Sequence, residues 1–434
     1  MISALITVNV GGTAQADHGR TNIRYRDGIV MPHATRTFSV DTDTATAHRM
    51  LVQRPVCQSS SRLRDSSNKN STQACQTVHD QHDRLVSELE KAGITVLRFD
   101  DLLADALRFA DARDWVIERR ARLCRLNRDS TAYLFSWLND LPAPTLAMHL
   151  IEGLRRAELP PAIQRRGPAN GKDWCFPALP HLTHLRDNAR WLNNGVVLGQ
   201  NRTTARRSEI VNLAAVLHFS PVFDEAYFDF WLASDAMNTR APPIDGRDVA
   251  MPSPAVCVAG ITRNTSALAL RQLAGVLFRK NVIKEMLCLD LLRIGCESLD
   301  RCFVQVDRDC VLVNCATLDK APGFIIRAGK GGGIDVVERC TLPFPVILSK
   351  AMAPAPIRLI DCGKVRSRQA RDALAHIDPI VLGPGRILAY EQHSAAFPEL
   401  ENHGIKIAAV LAGSALMRNG HGPRSLVTVV QAKA

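Results

Sequence analysis

From about Pro177 to the end, short apolar runs alternate with turns and with single helix-length stretches. The runs fall at residues 195–198, 255–258, 303–306, 311–313, 324–326, 357–360, 380–382 and 405–411, and a helical stretch fills 266–278. Strands that alternate with helices specify an α/β fold. The preceding part reads differently. Residues 50–52 predict a strand closed by Arg54-Pro55, and residues 58–72 are a Ser/Asn/Arg-rich stretch that reads as a loop or a disordered segment. A helix is expected over 75–92, with Val78, Leu85 and Leu89 near one face and Gly93 as its stop, followed by a strand over 94–99. Residues from about 100 to 165 read as almost wholly helical, broken at Pro142 and Pro144, and so as a helical insert in the α/β fold. Residues 1–46 form a polar N-terminal extension without periodicity, and no internal sequence repeat stands out.

Aromatic residues make up only 5% of the chain, so Leu, Val, Ile and Ala must fill the core. The net charge of +11 raises the question of a polyanionic partner. The arginines are scattered, however. The densest pieces, Arg119-Arg120-Ala121-Arg122, Arg155-Arg156, Arg165-Arg166 and Arg206-Arg207, have no interleaved aromatic residues to stack on bases. They read as a solvated basic surface, with no nucleic-acid partner expected. No apolar run is long enough to span a membrane, and Met1–Val10 has no positive n-region, so neither a membrane segment nor a signal peptide is expected. The 12 cysteines lack C-x-x-C spacing, and Cys288, Cys296, Cys302, Cys310 and Cys315 sit mostly among apolar residues. They read as buried free thiols in a reducing cytoplasm, without disulfides or metal. His79 and His82, each followed by Asp, read as a solvated helix face, and the glycine-rich stretch 327–333 as a flexible turn rather than a phosphate loop.

Four segments carry a sharper signal. The first is Pro180-His-Leu-Thr-His-Leu-Arg-Asp187, continuing to Ala205-Arg206-Arg207-Ser208-Glu209. The second is Ile244-Asp-Gly-Arg-Asp248, followed by Gly260-Ile-Thr-Arg-Asn-Thr-Ser266. The third is Glu297-Ser-Leu-Asp300, and the fourth Gly422-Pro-Arg-Ser425. In order and spacing they resemble the signature segments of arginine deiminases: P-N-L-x-F-T-R-D with a downstream Arg, E-G-G-D, G-I-S-E-R-T, M-H-L-D and G-G-P-R-C. Leu51-Val-Gln-Arg-Pro55, His82-Asp83 and Trp137-Leu-Asn-Asp-Leu-Pro142 add to the likeness, which runs from about residue 48 to the end.

The resemblance implies a five-fold pseudo-symmetric α/β propeller of ββαβ units over residues 47–434. It also implies hydrolysis of L-arginine to L-citrulline and ammonia without metal or cofactor, in a cytoplasmic protein open to self-association. That chemistry needs carboxylates to grip a guanidinium, a thiolate to attack its carbon, an imidazole to move protons, and cations for the α-carboxylate. Carried over by position, Asp187 and Asp300 fall on the guanidinium-binding aspartates and Arg206 on a carboxylate-binding arginine. Asp245 replaces the glutamate that partners the catalytic histidine, and Asp248 keeps the last acid of that motif. His181 stands for a substrate-binding asparagine, Asn264 for a second arginine (with Arg263 beside it), and Gly420 for a third (with His421 beside it). Ser298 falls on the catalytic histidine and Ser425 on the nucleophilic cysteine.

A serine hydroxyl needs an adjacent base to attack, and here the base position is itself serine. Three outcomes are therefore open: a catalytically dead or crippled deiminase-like protein with weak arginine binding; an active guanidino hydrolase with a rearranged site, recruiting for example His421 or Cys302; or the product of a decaying gene.

Overall fold

The computed structural model describes residues 38–57, 69–126, 128–166, 173–224, 227–233, 237–329, 333–353, 356–365, 367–369, 377–416 and 422–433. The positions of Gly420 and His421, most of the N-terminal extension and residues 58–68 lie outside them.

One connectivity recurs in five sheets: two antiparallel strands, then a helical connection, then a third strand parallel to the second. The first unit holds β1 (Thr46–Val52), α1 (Lys69–Lys91) and β2 (Thr95–Arg98). Helices α2 (Phe99–Ala106), α3 (Ala110–Leu123), α4 (Arg128–Asp140), α5 (Ala143–Glu152) and α6 (Pro161–Arg166) follow, with the small pair β3 (Leu154–Arg155) and β4 (Trp174–Phe176). The second unit is β5 (Ala189–Leu192), β6 (Gly195–Leu198), α7 (Thr204–Phe219) and β7 (Asp229–Phe230). The third is β8 (Val249–Ser253), β9 (Val256–Ile261), α8 (Ala267–Arg279) and β10 (Glu285–Asp290). The fourth is β11 (Phe303–Asp307), β12 (Cys310–Val313) and, after an excursion, β15 (Arg358–Asp361). In that excursion the hairpin β13 (Gly323–Ala328) and β14 (Ile334–Arg339) extends the third sheet, and α9 (Phe344–Met352) follows. The fifth is β16 (Ile380–Gly383), β17 (Arg386–Tyr390), α10 (Phe397–Asn402) and β18 (Lys406–Leu411). Strand β19 (Val427–Lys433) returns to pair antiparallel with β1, from Thr46↔Lys433 to Val52↔Val427, and completes the first unit.

Local chemistry explains the elements. Ser266 caps α8 by accepting from Ala269 N at 3.2 Å. The helix then lays Leu270, Leu273, Ala274, Leu277 and Phe278 into the core beside Cys257, Ala259 and Met286. Each buried Leu or Phe contributes about 1.5–3 kcal/mol. Helix α7 is buried on every side from Ser208 to Leu217, because the helical insert covers the face that its sheet does not.

Several expectations change. Helix α1 begins six residues earlier than the hydrophobic pattern suggested, at Lys69 rather than Cys75. The packed chain begins before Ala47: Phe38 and Val40 are core residues, and Val40 bridges to Ala432 and Asn193. The arginine runs are not simply solvated. Arg120 is fully buried and donates from Nη1 to Leu150 O (2.7 Å) and Asn212 Oδ1 (3.0 Å), and burial lowers it to about 10. The thiol reading holds for Cys124, Cys175, Cys257, Cys288, Cys302, Cys310 and Cys362, which are free and buried. It fails for Cys57 and Cys75, which form a disulfide. Among the described residues no helix is long and apolar enough to cross a membrane.

Candidate active site

In four of the five units the first strand is entered through one short helical turn, and these strand entries bring the charged residues together. Residues 185–188 precede β5, 246–248 precede β8, 299–301 precede β11, Asp378 precedes β16 and 423–426 precede β19. The chemistry-bearing residues ride on these turns: Asp187 on the first, Asp245 and Asp248 at the ends of the second, Ser298 and Asp300 on the third, Ser425 on the last. All six are buried.

Contacts run from turn to turn. Arg186 clasps Asp300 with two hydrogen bonds, Nε to Oδ2 at 2.5 Å and Nη2 to Oδ1 at 2.9 Å. Arg424 Nη1 adds a third to Asp300 Oδ1 at 3.1 Å. The Arg424 backbone N–H donates to Asp378 O at 3.3 Å. Asp248 accepts from Leu299 N (3.1 Å), Thr262 Oγ1 (2.7 Å) and Thr265 Oγ1 (2.5 Å), tying the second turn to the third. Arg206, in the first turn of α7, donates from Nη2 to Asp187 Oδ2 (3.0 Å) and from Nη1 to Glu209 Oε2 (3.1 Å). The turn at 246–248 needs glycine at its first position. A Cβ on Gly246 would stand 2.0 Å from the Arg186 carbonyl oxygen.

Arg247 was not singled out in the sequence. It donates from Nη2 to Asp245 Oδ2 (2.9 Å) and from Nε to Asp245 Oδ1 (3.1 Å), and its Nε stands 3.1 Å from Asp187 Oδ1. Its guanidinium thus lies between two of the acids assigned to substrate and catalysis. The sequence signal was present, since Arg247 interrupts the pattern Asp245-Gly-Arg-Asp248 where the resembled motif has glycine. His184 entered the sequence reading only as part of the segment from Pro180 to Asp187; its Nδ1 is 3.1 Å from Ser425 Oγ. Ser425 Oγ also donates to Gly422 O at 2.9 Å. A hydroxyl has one proton, so with that proton on Gly422 O the histidine acts as donor to Ser425 and not as its base.

Electrostatics follow from packing so many charges together. Burial alone would raise Asp300, but Arg186, Arg424 and Arg190 outweigh it and hold the carboxyl down at about 2. Burial and the charge of Asp245 push Asp248 up to about 8 against its three hydrogen bonds. Burial and Asp187 raise Asp245, although Arg247 opposes them. Burial and Asp300 raise Asp378 to about 6. His181 lies at the surface, near enough for Arg206 to reinforce the lowering that partial burial causes. Asn264 sits half-buried in the loop before α8, its backbone N–H donating to Thr262 Oγ1 at 3.1 Å. Ser298 precedes the Asp300 turn and makes no side-chain cap there.

The family model described as arginine deiminase matches residues 70–431. The chain is similar to the arginine deiminase of Mycobacterium avium (strain 104), 26% identical over 360 residues, covering 80% of this chain and 86% of that protein. It is similar also to the arginine deiminase of Rhodococcus opacus (strain B4), 27% identical over 356 residues, with 80% and 85% covered. Of solved structures, an amidinotransferase from Microseira wollei matches with a TM-score of 0.49 at 12% identity over 92% of this chain and 98% of that one. DDAH from Pseudomonas aeruginosa complexed with citrulline matches at 0.46 and 10%, over 88% and 99%.

Proposed function

For a chain that belongs to the arginine deiminase family, we propose a deiminase-like protein without deiminase turnover, whose guanidinium-binding carboxylates are engaged by its own arginines. The five units stand as blades of an α/β propeller around the ring of turns, with the helical insert at 100–165 outside it. The observation that carries the reading is Arg247, seated against both Asp187 and Asp245, together with Arg186 clasping Asp300. Asp187 and Asp300 correspond to the pair that grips a substrate guanidinium, and each already faces an internal one.

The missing chemistry points the same way. Ser425 stands at the nucleophile position and Ser298 at the acid–base position. Losing two groups that act as a unit costs on the order of 10⁶ in turnover. Arg206 is the surviving carboxylate-binding cation, yet Asp187 and Glu209 already hold it. Asn264 offers no charge where the family pattern has arginine. The ligand is L-arginine, bound weakly, without metal or cofactor at this site, and the compartment is the cytoplasm.

Purified protein incubated with L-arginine is expected to form no citrulline above a protein-free control. Calorimetry is expected to give a dissociation constant in the millimolar class, since losing one buried charge contact typically costs about 2–5 kcal/mol. Micromolar binding, or turnover that disappears in Ser425→Ala, would overturn the proposal. The second outcome would favour the alternative, an active guanidino hydrolase with a rearranged site, in which the Ser425 hydroxyl turns from Gly422 O to give its proton to the adjacent His184. A cooperative melt that arginine shifts upward separates a binding protein from a decaying gene product.

A further inference from the structure

Remote from the ring, two cysteines and a histidine converge on α1. Cys75 and His79 stand four residues apart, hence on one helix face. Cys57 lies in the segment just after β1. The two cysteines are bonded to each other, and His79 Nε2 stands 3.5 Å from Cys57 Sγ and 3.9 Å from Cys75 Sγ. One donor atom from each of the three lies within 4.8 Å of the others, and all three residues are half-buried. His79 Nε2 is also 3.0 Å from Pro55 O.

We propose that Cys57, Cys75 and His79 form a zinc site in the reduced protein, alternating with the disulfide. Zinc favours thiolate and imidazole ligands in a tetrahedron. Zn–N of about 2.0 Å and Zn–S of about 2.3 Å at tetrahedral angles place a ligand nitrogen about 3.5 Å from a ligand sulfur. The distance from His79 Nε2 to Cys57 Sγ equals that value, and the distance to Cys75 Sγ exceeds it by about 0.4 Å. Only the sulfurs need to move apart, which cleavage of their bond permits, and Cys57 lies outside any strand or helix. The half-exposed setting leaves the fourth position to water, as in zinc sites with three protein ligands.

The exchange balances with a dithiol as reductant. Two electrons and two protons pass to Cys57 and Cys75 as their S–S bond breaks, and the dithiol becomes a disulfide. Zinc then displaces both thiol protons and forms two Zn–S bonds. The Zn–N bond uses the His79 Nε2 lone pair, and the proton moves to Nδ1, which releases the Pro55 carbonyl. Among the described residues, this is the one pair of cysteines with an imidazole within 4 Å of both sulfurs, which sets it apart from the ten free thiols.

The test uses the full-length protein. As oxidised, it should show ten titratable thiols of the 12 cysteines and hold no zinc against a chromophoric chelator. After phosphine reduction and removal of metal, it should hold one equivalent, and cobalt in place of zinc should give a thiolate-to-metal charge-transfer band. Cys57→Ser with Cys75→Ser should lose both signals, and His79→Ala should weaken binding by about tenfold or more. Equal zinc binding by the oxidised and reduced proteins, or by the reduced protein and the double serine variant, would overturn the proposal. If the double variant does not fold, the comparison of oxidised with reduced protein and the His79→Ala affinity decide it.

Discussion

Ser425→Cys, Ser298→His and Arg247→Gly, combined, are expected to turn a protein that forms no citrulline into one that forms it measurably at high arginine. Cysteine supplies a nucleophile whose thiolate is reachable near neutral pH, and histidine a proton carrier. Glycine at 247 withdraws the internal guanidinium from Asp187 and Asp245. The first two changes act in one mechanism, so neither alone should suffice.

Arg247→Gly by itself has a separate signature. It leaves Asp187 and Asp245 without the guanidinium between them, Arg206 still paired to Asp187, and breaking a buried pair this way typically costs about 3–5 kcal/mol. An added guanidinium that takes the vacated place should therefore raise the melting temperature of Arg247→Gly far more than that of the parent, with L-arginine the probe. Adding Asn264→Arg should lower the arginine concentration needed. A triple variant with native circular dichroism and calorimetrically bound arginine but no citrulline would mean that the two serines do not flank the guanidinium carbon. A variant in which arginine gives no melt shift would instead refute the occupancy of the site by Arg247.

Asp300→Ala is expected to be the most damaging single substitution, preventing folding or costing about 3–5 kcal/mol. It strips Arg186 of both hydrogen bonds from its guanidinium to Asp300, strips Arg424 of another, and leaves two cations buried side by side. The same contacts set an acid limit. Asp300 is held at about 2 in the fold, below the roughly 3.9 of a free aspartate. Its folded-state value is thus depressed, so its contribution is fully present above about pH 4 and is lost as pH falls towards 2. Asp248 works in the opposite sense. Its value of about 8 is raised, so the fold binds a proton that the unfolded chain releases, and stability falls as pH rises from about 4 to 8. Melting temperatures across pH 2–9 should therefore peak in mildly acidic buffer. A curve for Asp248→Asn as steep as the parent's between pH 5 and 8 would show that Asp248 does not carry the alkaline slope.

The motifs located Asp187, Asp245, Asp248, Asp300 and Ser425 on the turns that the structure brings together, because each motif is local and each turn feeds its strand directly. The partners of those acids were not legible in the same way. Arg186 reaches Asp300 across 114 residues of sequence and Arg424 reaches it across 124, and no short pattern encodes such pairings. Asp378 was overlooked since no motif surrounds it; its place became visible only when five strand entries could be compared. Short strands in apolar runs, such as β6, β12 and β16, were read within about one residue. Helix α7 was not, because its burial on all sides erases the periodicity that marks an amphipathic helix. Strand β5 was masked by Arg190, a buried arginine inside Ala-Arg-Trp-Leu that pairs with Asp43. The five-fold recurrence exists in connectivity alone, and the units share too little sequence to reveal it.

The pairing of β19 with β1 has a consequence for biosynthesis. The unit that β1 opens is finished only by a strand made far later in the chain, since Thr46 meets Lys433 and Val52 meets Val427. Until then β1 has β2 on one side and an unsatisfied edge on the other, an exposed template for aggregation. Ser425 and Arg424 arrive on the same late segment, so the cations Arg186 and Arg190 wait beside Asp300 and Asp43 without Arg424 to complete the cluster. Chains released early, short of Val427, would lack the closing strand altogether and are the forms that quality-control proteases should remove first.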